Sequence, residues 1–514
     1  MNQSPIEQEA LNRAVWEACD TFRGTVDPSI YKDYVLTMLF LKYISDVWQD
    51  HYDSHQKMFG DHPELIEELM QAEAFVLPAE ANFYSLHAKR HQAGNGERID
   101  RALHLIAEHN IGKLRDVFQD ISFNSTRLGD EGQKNEILRH LLEDFAKASL
   151  NLRPSRVGAM DVIGNAYEFL IKNFASTSGK KAGEFYTPPE ISQLIALLVD
   201  PKPGDKICDP TCGSGSLLMK CGQLIRQREQ SREYELYGQE AIGSTWALAK
   251  MNMFLHNETN HRIEWGDTLR GPKLLDAQGK LLQFDVVVAN PPFSLEKWGH
   301  ETVLDDPHQR FQRGMPPRTK GDYAFILHMI ESMKQDSGRM AVVVPNGVLF
   351  RGAAEGMIRR QLIEENLLDC VIGLPEKLFY GTGISAAILL FRRQKTDDNI
   401  LFIDASNQFQ DGKNQNQLRP EDLQRVLDTC RARQNVDGYA YLASAEDVLK
   451  NEFNLNISRY VHTTQAKSEV DFFSLRQERE EIKRQLANLE EEMDQHLRQL
   501  GMIAPVLPHL SNAA

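Results

Sequence analysis

FDVVVANPPF, residues 284–293, contains an unbroken apolar run from Val286 to Ala289. A run with no polar face suits a strand covered on both sides, as in a parallel sheet between two layers of helices. It stops at a carboxamide, two prolines and an aromatic ring: Asn290, Pro291, Pro292 and Phe293. Working outward, similar short runs occur at KICD (206–209), ELYGQE (235–240), RIEWGD (262–267), RMAVVVPN (339–346), LLDCVIGLP (367–375) and SAAILLFRR (385–393). Amphipathic segments such as PEISQLIALLVD (189–200) and STWALAKMNMFLHN (244–257) separate most of them. That alternation predicts an α/β fold: a mostly parallel, doubly wound, Rossmann-like sheet with helices on both faces. A short loop containing FYGTG (379–383) joins the last two runs. That loop is too short for a crossover helix, so they should pair as an antiparallel hairpin.

The chain has 514 residues, enough for two or three domains with proper cores. No apolar run is long enough to span a bilayer, and the start MNQSPIEQEA lacks a secretory pattern, so a cytoplasmic protein is expected. Six cysteines do not make a disulfide framework. Cys208, Cys212 and Cys221 lie close together, but no second cluster or histidine pair follows at finger-like spacing, so they read as packing thiols rather than metal ligands. A net charge of −15 argues against a protein that coats nucleic acid by itself. It leaves room for a local basic cleft or a basic partner.

Four regions are expected: a helical N-terminal domain (1–175), a catalytic α/β domain (176–405), an irregular and helical extension (406–465), and a long helix with its tail (466–514). Within the last, Ile482, Leu486, Leu489, Met493 and Leu500 recur at four- and three-residue steps, with His496 at the one weak heptad position. This is either a short coiled-coil seam that docks a partner or an amphipathic helix lying on the same chain.

ICDPTCGSGSLLM (207–219) leaves the first strand and enters a helix, with Gly213 and Gly215 allowing a tight turn and a close ligand approach. Glu240 ends the next strand, where a carboxylate can take both hydroxyls of a ribose. Asp267 ends the third, where it could accept from an adenine amino group. Asp209 stands just before the glycines and would repel a pyrophosphate, whereas it suits a cationic ligand. S-adenosylmethionine, with its ammonium and sulfonium, therefore fits better than NAD. GEFYTPPE (183–190) precedes the first strand, with Thr187 a candidate helix cap or part of a lid over the cofactor.

An exocyclic amino group on a nucleobase is a poor nucleophile, because its lone pair is delocalised into the ring. Two acceptors on its hydrogens would draw it toward tetrahedral geometry and free that pair. The Asn290 side-chain oxygen and the Pro291 carbonyl, fixed by Pro292, supply them, and Phe293 offers a ring on which an extruded base can stack. Positioning then supplies much of the rate.

GEFYTP, DPTCGSGS, the glutamate of GQE and NPPF resemble the motifs of the amino-group DNA methyltransferases. With the helical N-terminal region, WALAKMNMFLHN, GDTL, RTKGDYAFILHM and FIDAS, nearly the whole chain is similar to the modification (methylase) subunits of type I restriction-modification systems. The resemblance implies an S-adenosylmethionine-dependent methyltransferase sheet that methylates N6 of adenine in DNA. It implies a complex of two such subunits with one specificity subunit, which a restriction subunit can join. By motif, it implies cofactor contacts at Gly183, Glu184, Phe185, Tyr186, Thr187 and Pro188, at Ser214, Gly215 and Ser216, and at Glu240. Asn290, Pro291, Pro292 and Phe293 become the catalytic tetrapeptide. Cys212 stands where many relatives carry a small residue, so little effect is expected beyond thiol sensitivity of the site.

No target-recognition domain is evident after the catalytic motifs, which fits a separate sequence-reading subunit. The loop HQRFQRGMPPRTK (308–320) is locally basic, and Arg310, Arg313, Arg318 and Lys320 could meet DNA phosphates or form a solvated surface. Two rival functions are a methyltransferase acting on protein glutamine amides and a catalytically silent docking subunit. Cytosine C5 methylation is disfavoured, since no cysteine nucleophile stands near Asn290. N4 of cytosine is chemically open, although a serine in place of Asn290 is more typical there.

Overall fold

The computed structural model describes residues 7–22, 26–158, 161–177, 186–379, 383–412, 415–461 and 472–499. The chain divides into two compact units, Met1–Val461 and His462–Ala514.

In the first unit, nine strands among the described residues make one sheet: β1 (Lys206–Asp209), β2 (Glu235–Glu240), β3 (His261–Trp265), β4 (Val286–Ala289), β5 (Arg339–Pro345), β6 (Leu368–Gly373), β7 (Ala386–Arg392), β8 (Ile400–Asp404) and β9 (Ala440–Ala443). Their order is β3-β2-β1-β4-β5-β7-β6-β8-β9. β1 through β5 pair in parallel. β6 and β7 form the expected antiparallel pair, and β7 also runs antiparallel to β5. After β1 the chain builds outward to β2 and β3, then crosses back to place β4 on the other side of β1. The gap beyond the carboxyl ends of β1 and β4 is therefore the topological switch point, where ligands bind in open α/β sheets.

The apolar run of β4 is buried at all four residues because both faces are covered. Successive side chains of a strand point to opposite faces. Val286 and Val288 join a core with Ile207, Ala341, Val343 and the N-terminal helices. Val287 and Ala289 join a second core with Cys208, Met340, Val342 and the helix Asp322–Ser332. Fully burying each valine contributes roughly 1.5–3 kcal/mol. The helix Pro28–Phe59 buries Val35, Leu36, Leu39, Phe40 and Ile44 in the first core. It also carries a buried ion pair, Lys42–Asp46. Asp46 further accepts from the Tyr84 hydroxyl at 2.6 Å and from the Leu152 backbone N–H at 2.7 Å.

The sheet extends past the segment expected to end it. β8 lies parallel to β6, β9 lies antiparallel to β8, and the helix Pro420–Ala432 adds Leu423, Val426 and Leu427 to the first core. Strand β9, AYLA, is too short for alternation to reveal it beside helical neighbours. The second unit contains the helix Phe472–Gln499, on which Ile482, Leu486, Leu489 and Met493 are exposed. Leu500 lies outside the described residues. Among the described residues no helix is long and apolar enough to cross a membrane.

Candidate active site

The glycine loop carries the chain from β1 into the helix Ser216–Glu229. Gly213 and Gly215 have φ of 55° and 85°, in the left-handed region that glycine enters without cost. A Cβ on Gly215 would also meet Met253 Cε at 2.8 Å. The turn is pinned from several directions. Cys212 N–H donates to the Gln239 carbonyl at 3.0 Å, Thr268 Oγ1 to the Pro210 carbonyl at 2.7 Å, and Asn252 Nδ2 to the Ser214 carbonyl at 3.0 Å. The Ser214 and Ser216 hydroxyls lie 3.0 Å apart.

Glu240 ends β2 beside this loop. Its Oε2 accepts from Gly213 N–H at 3.0 Å and its Oε1 from Ile242 N–H at 2.8 Å, so the carboxylate fixes the turn while keeping lone pairs for a ligand. Burial pushes its pKa up. Asp209 is also buried, with Oδ1 accepting from Thr211 N–H at 2.9 Å. Burial above all, with the negative Glu240 nearby, pushes its pKa up to about 8 despite the hydrogen bonds that oppose the shift. Two desolvated carboxyl groups at neighbouring strand ends are stabilised by a cation. Asp267 turns back on its own chain, Oδ1 accepting from Leu269 and Arg270 N–H at 2.9 and 3.1 Å.

Asn290 follows β4, whose pairing with β1 (Ile207 with Val286, Cys208 with Val287) brings it to the same sheet edge as the loop. Its Nδ2 donates to Thr187 Oγ1 at 3.1 Å. Its Oδ1 is buried and has no hydrogen-bond partner among the described residues. A buried acceptor left unpaired costs about 1–3 kcal/mol, which an N–H group arriving at that point recovers. Thr187 therefore does not cap the following helix: the cap position is Pro188, which makes no side-chain cap bond. Tyr186 and Pro188 are buried beside it, while Gly183, Glu184 and Phe185 lie outside the described residues.

Pro291 is buried, and Phe293 packs edge-on against Phe379, with ring centroids 5.7 Å apart and planes at 75°. Ser294 then takes a φ of 52°. That conformation is held because its N–H donates to Asp322 Oδ1 at 2.7 Å, and Asp322 is in turn paired with Arg351. The exit of the tetrapeptide is thus clamped by Asp322 and Arg351, which the sequence reading left without a role. The run GDYAF, placing an acid at a helix start, was the available signal.

The basic loop is not what its charge suggested. Arg310 is 2% exposed, bonded to Asp306 Oδ1 (2.8 Å) and to the carbonyls of Thr268 (3.0 Å) and Leu269 (2.8 Å). Arg313 is paired with Glu331 and, at 2.8 Å, with Glu365. Both are structural cations with no reach to a phosphate. Arg318 is exposed and pairs with Glu301, and Lys320 is half-buried. Cys212 is buried and its thiol pKa is pushed well up, foremost by burial, so it is protonated and shielded rather than thiol-sensitive.

Comparison with known proteins agrees with this geometry. The family model described as N-6 DNA Methylase matches residues 158–469, and that described as HsdM N-terminal domain matches residues 11–145. The type I restriction enzyme MpnII methylase subunit of Mycoplasma pneumoniae is 29% identical, over 93% of this chain and 93% of that one. The MjaVIII methylase subunit of Methanocaldococcus jannaschii is 30% identical, over 91% of this chain and 80% of that one. A crystal structure of a type I restriction-modification system methyltransferase subunit from Streptococcus thermophilus superposes with a TM-score of 0.79 at 33% identity, covering 89% of this chain and all of that one. Loop, orphaned carboxamide and full-length likeness converge: the chain belongs to the N-6 DNA methylase family, as a type I restriction-modification methylase subunit.

Proposed function

We propose that Asn290, Pro291, Pro292 and Phe293 methylate N6 of adenine in DNA, with S-adenosylmethionine held by the Gly213–Ser216 loop, Asp209 and Glu240. The observation that carries this reading is the unpartnered Asn290 Oδ1 at the same sheet edge as the glycine loop. The residues fit the cofactor. Glu240 has acceptor capacity left for ribose hydroxyls, Asp209 is a desolvated carboxyl group that a cationic ligand would draw into its ionised form, and Gly215 leaves a cradle that a Cβ would crowd. When bound, S-adenosylmethionine supplies an electrophilic methyl group on a cationic sulfur. The chain's own part is to hold the amine. Asn290 Oδ1 accepts a hydrogen bond from one N6–H and the Pro291 carbonyl from the other, so that the lone pair is drawn out of the ring. Thr187 holds the carboxamide through Nδ2 and keeps Oδ1 free. Phe293 offers a stacking face, braced by Phe379. Asp267 would meet the adenine end of the cofactor, and Tyr186 and Pro188 would lie toward its methionine end.

Relatives named as methylase subunits of type I enzymes point to a multisubunit assembly with DNA. Within it, a specificity subunit reads the sequence, a second copy of this chain completes the modification complex, and a restriction subunit joins it. The stripe Ile482, Leu486, Leu489 and Met493 suits docking on such a partner, and Arg318 and Lys320 are the basic-loop residues left for DNA phosphates.

The test incubates the chain, alone and co-expressed with a specificity subunit, with DNA and methyl-labelled S-adenosylmethionine, then identifies the labelled base. Label on adenine N6 only with the partner present is the expected result. Label on cytosine N4, on a protein glutamine, or nowhere overturns the reading.

A further inference from the structure

A second cavity lies away from the cofactor loop. β2 and β3 run in parallel with Glu240 at the carboxyl end of β2, and the helix Gly243–Leu255 leads back to the opposite edge, where β3 begins at His261. There the helical region and the sheet enclose a space of about 470 Å³, the size of a small-molecule site. Its walls are largely apolar and aromatic: Tyr43 and Trp48 from the helix Pro28–Phe59, Phe75, and Phe254.

The charges around this space are unbalanced. Both acids in the lining already have partners. Glu73 meets His51 Nδ1 at 2.8 Å, and Glu258 is paired with Arg226 and accepts from the Tyr234 hydroxyl at 2.9 Å. The lysines are not so paired. Lys250 Nζ, 5.3 Å from the Phe254 ring centroid, has one close polar neighbour among the described residues, His261 Nε2 at 3.4 Å. The His261 Nδ1 N–H is spent on the Glu258 carbonyl at 2.5 Å, so Nε2 is the lone-pair side of a neutral ring. Lys113 donates to the Ala74 carbonyl at 2.6 Å and lies over Phe75. Burial pushes the pKa of Lys250 down, with only the more distant Glu264 opposing it, and Glu264 is paired with Arg262 at 2.7 Å. A desolvated ammonium lacking a counter-ion, in the wall of an aromatic cavity, calls for an anion with an apolar body.

We propose that this cavity is a binding site for a small amphipathic anion, a flat or aliphatic apolar body bearing one carboxylate or phosphate that meets Lys250. Such a ligand touches both the helical region and the catalytic sheet, so it reinforces their packing from a point remote from the reaction.

Calorimetric titration of the full chain with 2-naphthoate, 2-naphthyl phosphate and the uncharged 2-naphthamide tests this. The wild type should bind at least one of the two anions, and the tighter one names the head group. Lys250→Met, which keeps the length of the stem, should weaken that anion by about tenfold or more, as when a charge-assisted hydrogen bond is lost, and leave naphthamide unchanged. Val47→Trp, which fills the space, should abolish binding of all three while S-adenosylmethionine affinity persists as the control for folding. Failure of both anions to bind the wild type overturns the proposal, as does equal anion affinity in wild type and Lys250→Met.

Discussion

Replacing Thr187 with valine removes one oxygen and keeps the shape of the side chain. Thr187 Oγ1 is the partner of Asn290 Nδ2, at 3.1 Å, and nothing else among the described residues holds that carboxamide. Without it, the amide turns freely, and orientations that present Nδ2 to the substrate amine compete with the productive one. A neutral hydrogen bond of this kind contributes about 0.5–1.5 kcal/mol, which corresponds to a fall in kcat of roughly two- to tenfold. The KM for S-adenosylmethionine should stay within about twofold, because the lost contact bears on the reacting amine. Thr187→Ser restores the acceptor and should restore kcat. The assay is steady-state methyl transfer by the assembled complex on its target DNA, with cofactor and DNA varied separately. An unchanged kcat in Thr187→Val refutes the reasoning, as does a serine variant as impaired as the valine one. A raised KM for the cofactor at constant kcat would instead return Thr187 to the role of a cofactor lid.

Asn290→Ala should lower methyl transfer by about 10²–10³ or more, as when a preorganised polar partner is removed, with cofactor affinity within a few-fold by calorimetry. Glu240→Ala should weaken S-adenosylmethionine by about 1.5–3 kcal/mol, and an unchanged affinity removes the ribose assignment. Asp209 has a folded pKa raised to about 8, against about 4 unfolded, so the folded protein holds the extra proton in that window. Its contribution to stability is therefore complete below about pH 4 and lost as the pH rises through about 8. The cofactor-free wild type should lose Tm relative to Asp209→Asn between pH 6 and 9, and wild-type cofactor affinity should rise over the same range; parallel profiles refute the assignment. Arg310→Gln strands the nearly buried Asp306 and should cost about 3–5 kcal/mol in denaturant unfolding, whereas Arg318→Gln should leave stability within about 0.5 kcal/mol and weaken DNA binding.

What could be read in advance was what short-range physics dictates. Val286–Ala289 needs cover on both faces wherever it lies, and Gly213 and Gly215 are required by a backbone that turns left-handed at both positions. The antiparallel pairing of β6 and β7 was expected from a short connection, and it holds although residues 374–385 make that connection twelve residues long. What escaped depends on segments far apart in sequence. The contact between Thr187 and Asn290 spans 103 residues, and a local reading gave the threonine a capping role instead. The partners of Arg313, Glu331 and Glu365, come from the helix Asp322–Ser332 and from the residue after the helix Ala353–Glu364. Arg310 was more open to inference, since Asp306 stands only four residues before it in the same turn. Asp322 lies within RTKGDYAFILHM, but its bond to Ser294 N–H appears only once the tetrapeptide has folded back on the helix start.

The N-terminal helices and one face of the sheet contribute to a single apolar cluster, in which Leu36, Phe40 and Phe174 belong with Ile207, Val286 and Val343. A fragment starting at the first strand would turn that face to water and aggregate, and the helices expressed alone would lose their lid. Neither half is a portable module. Up to Val461 the polypeptide should melt in one cooperative step, and shuffling of halves between related enzymes would succeed only where both sides of that seam change together.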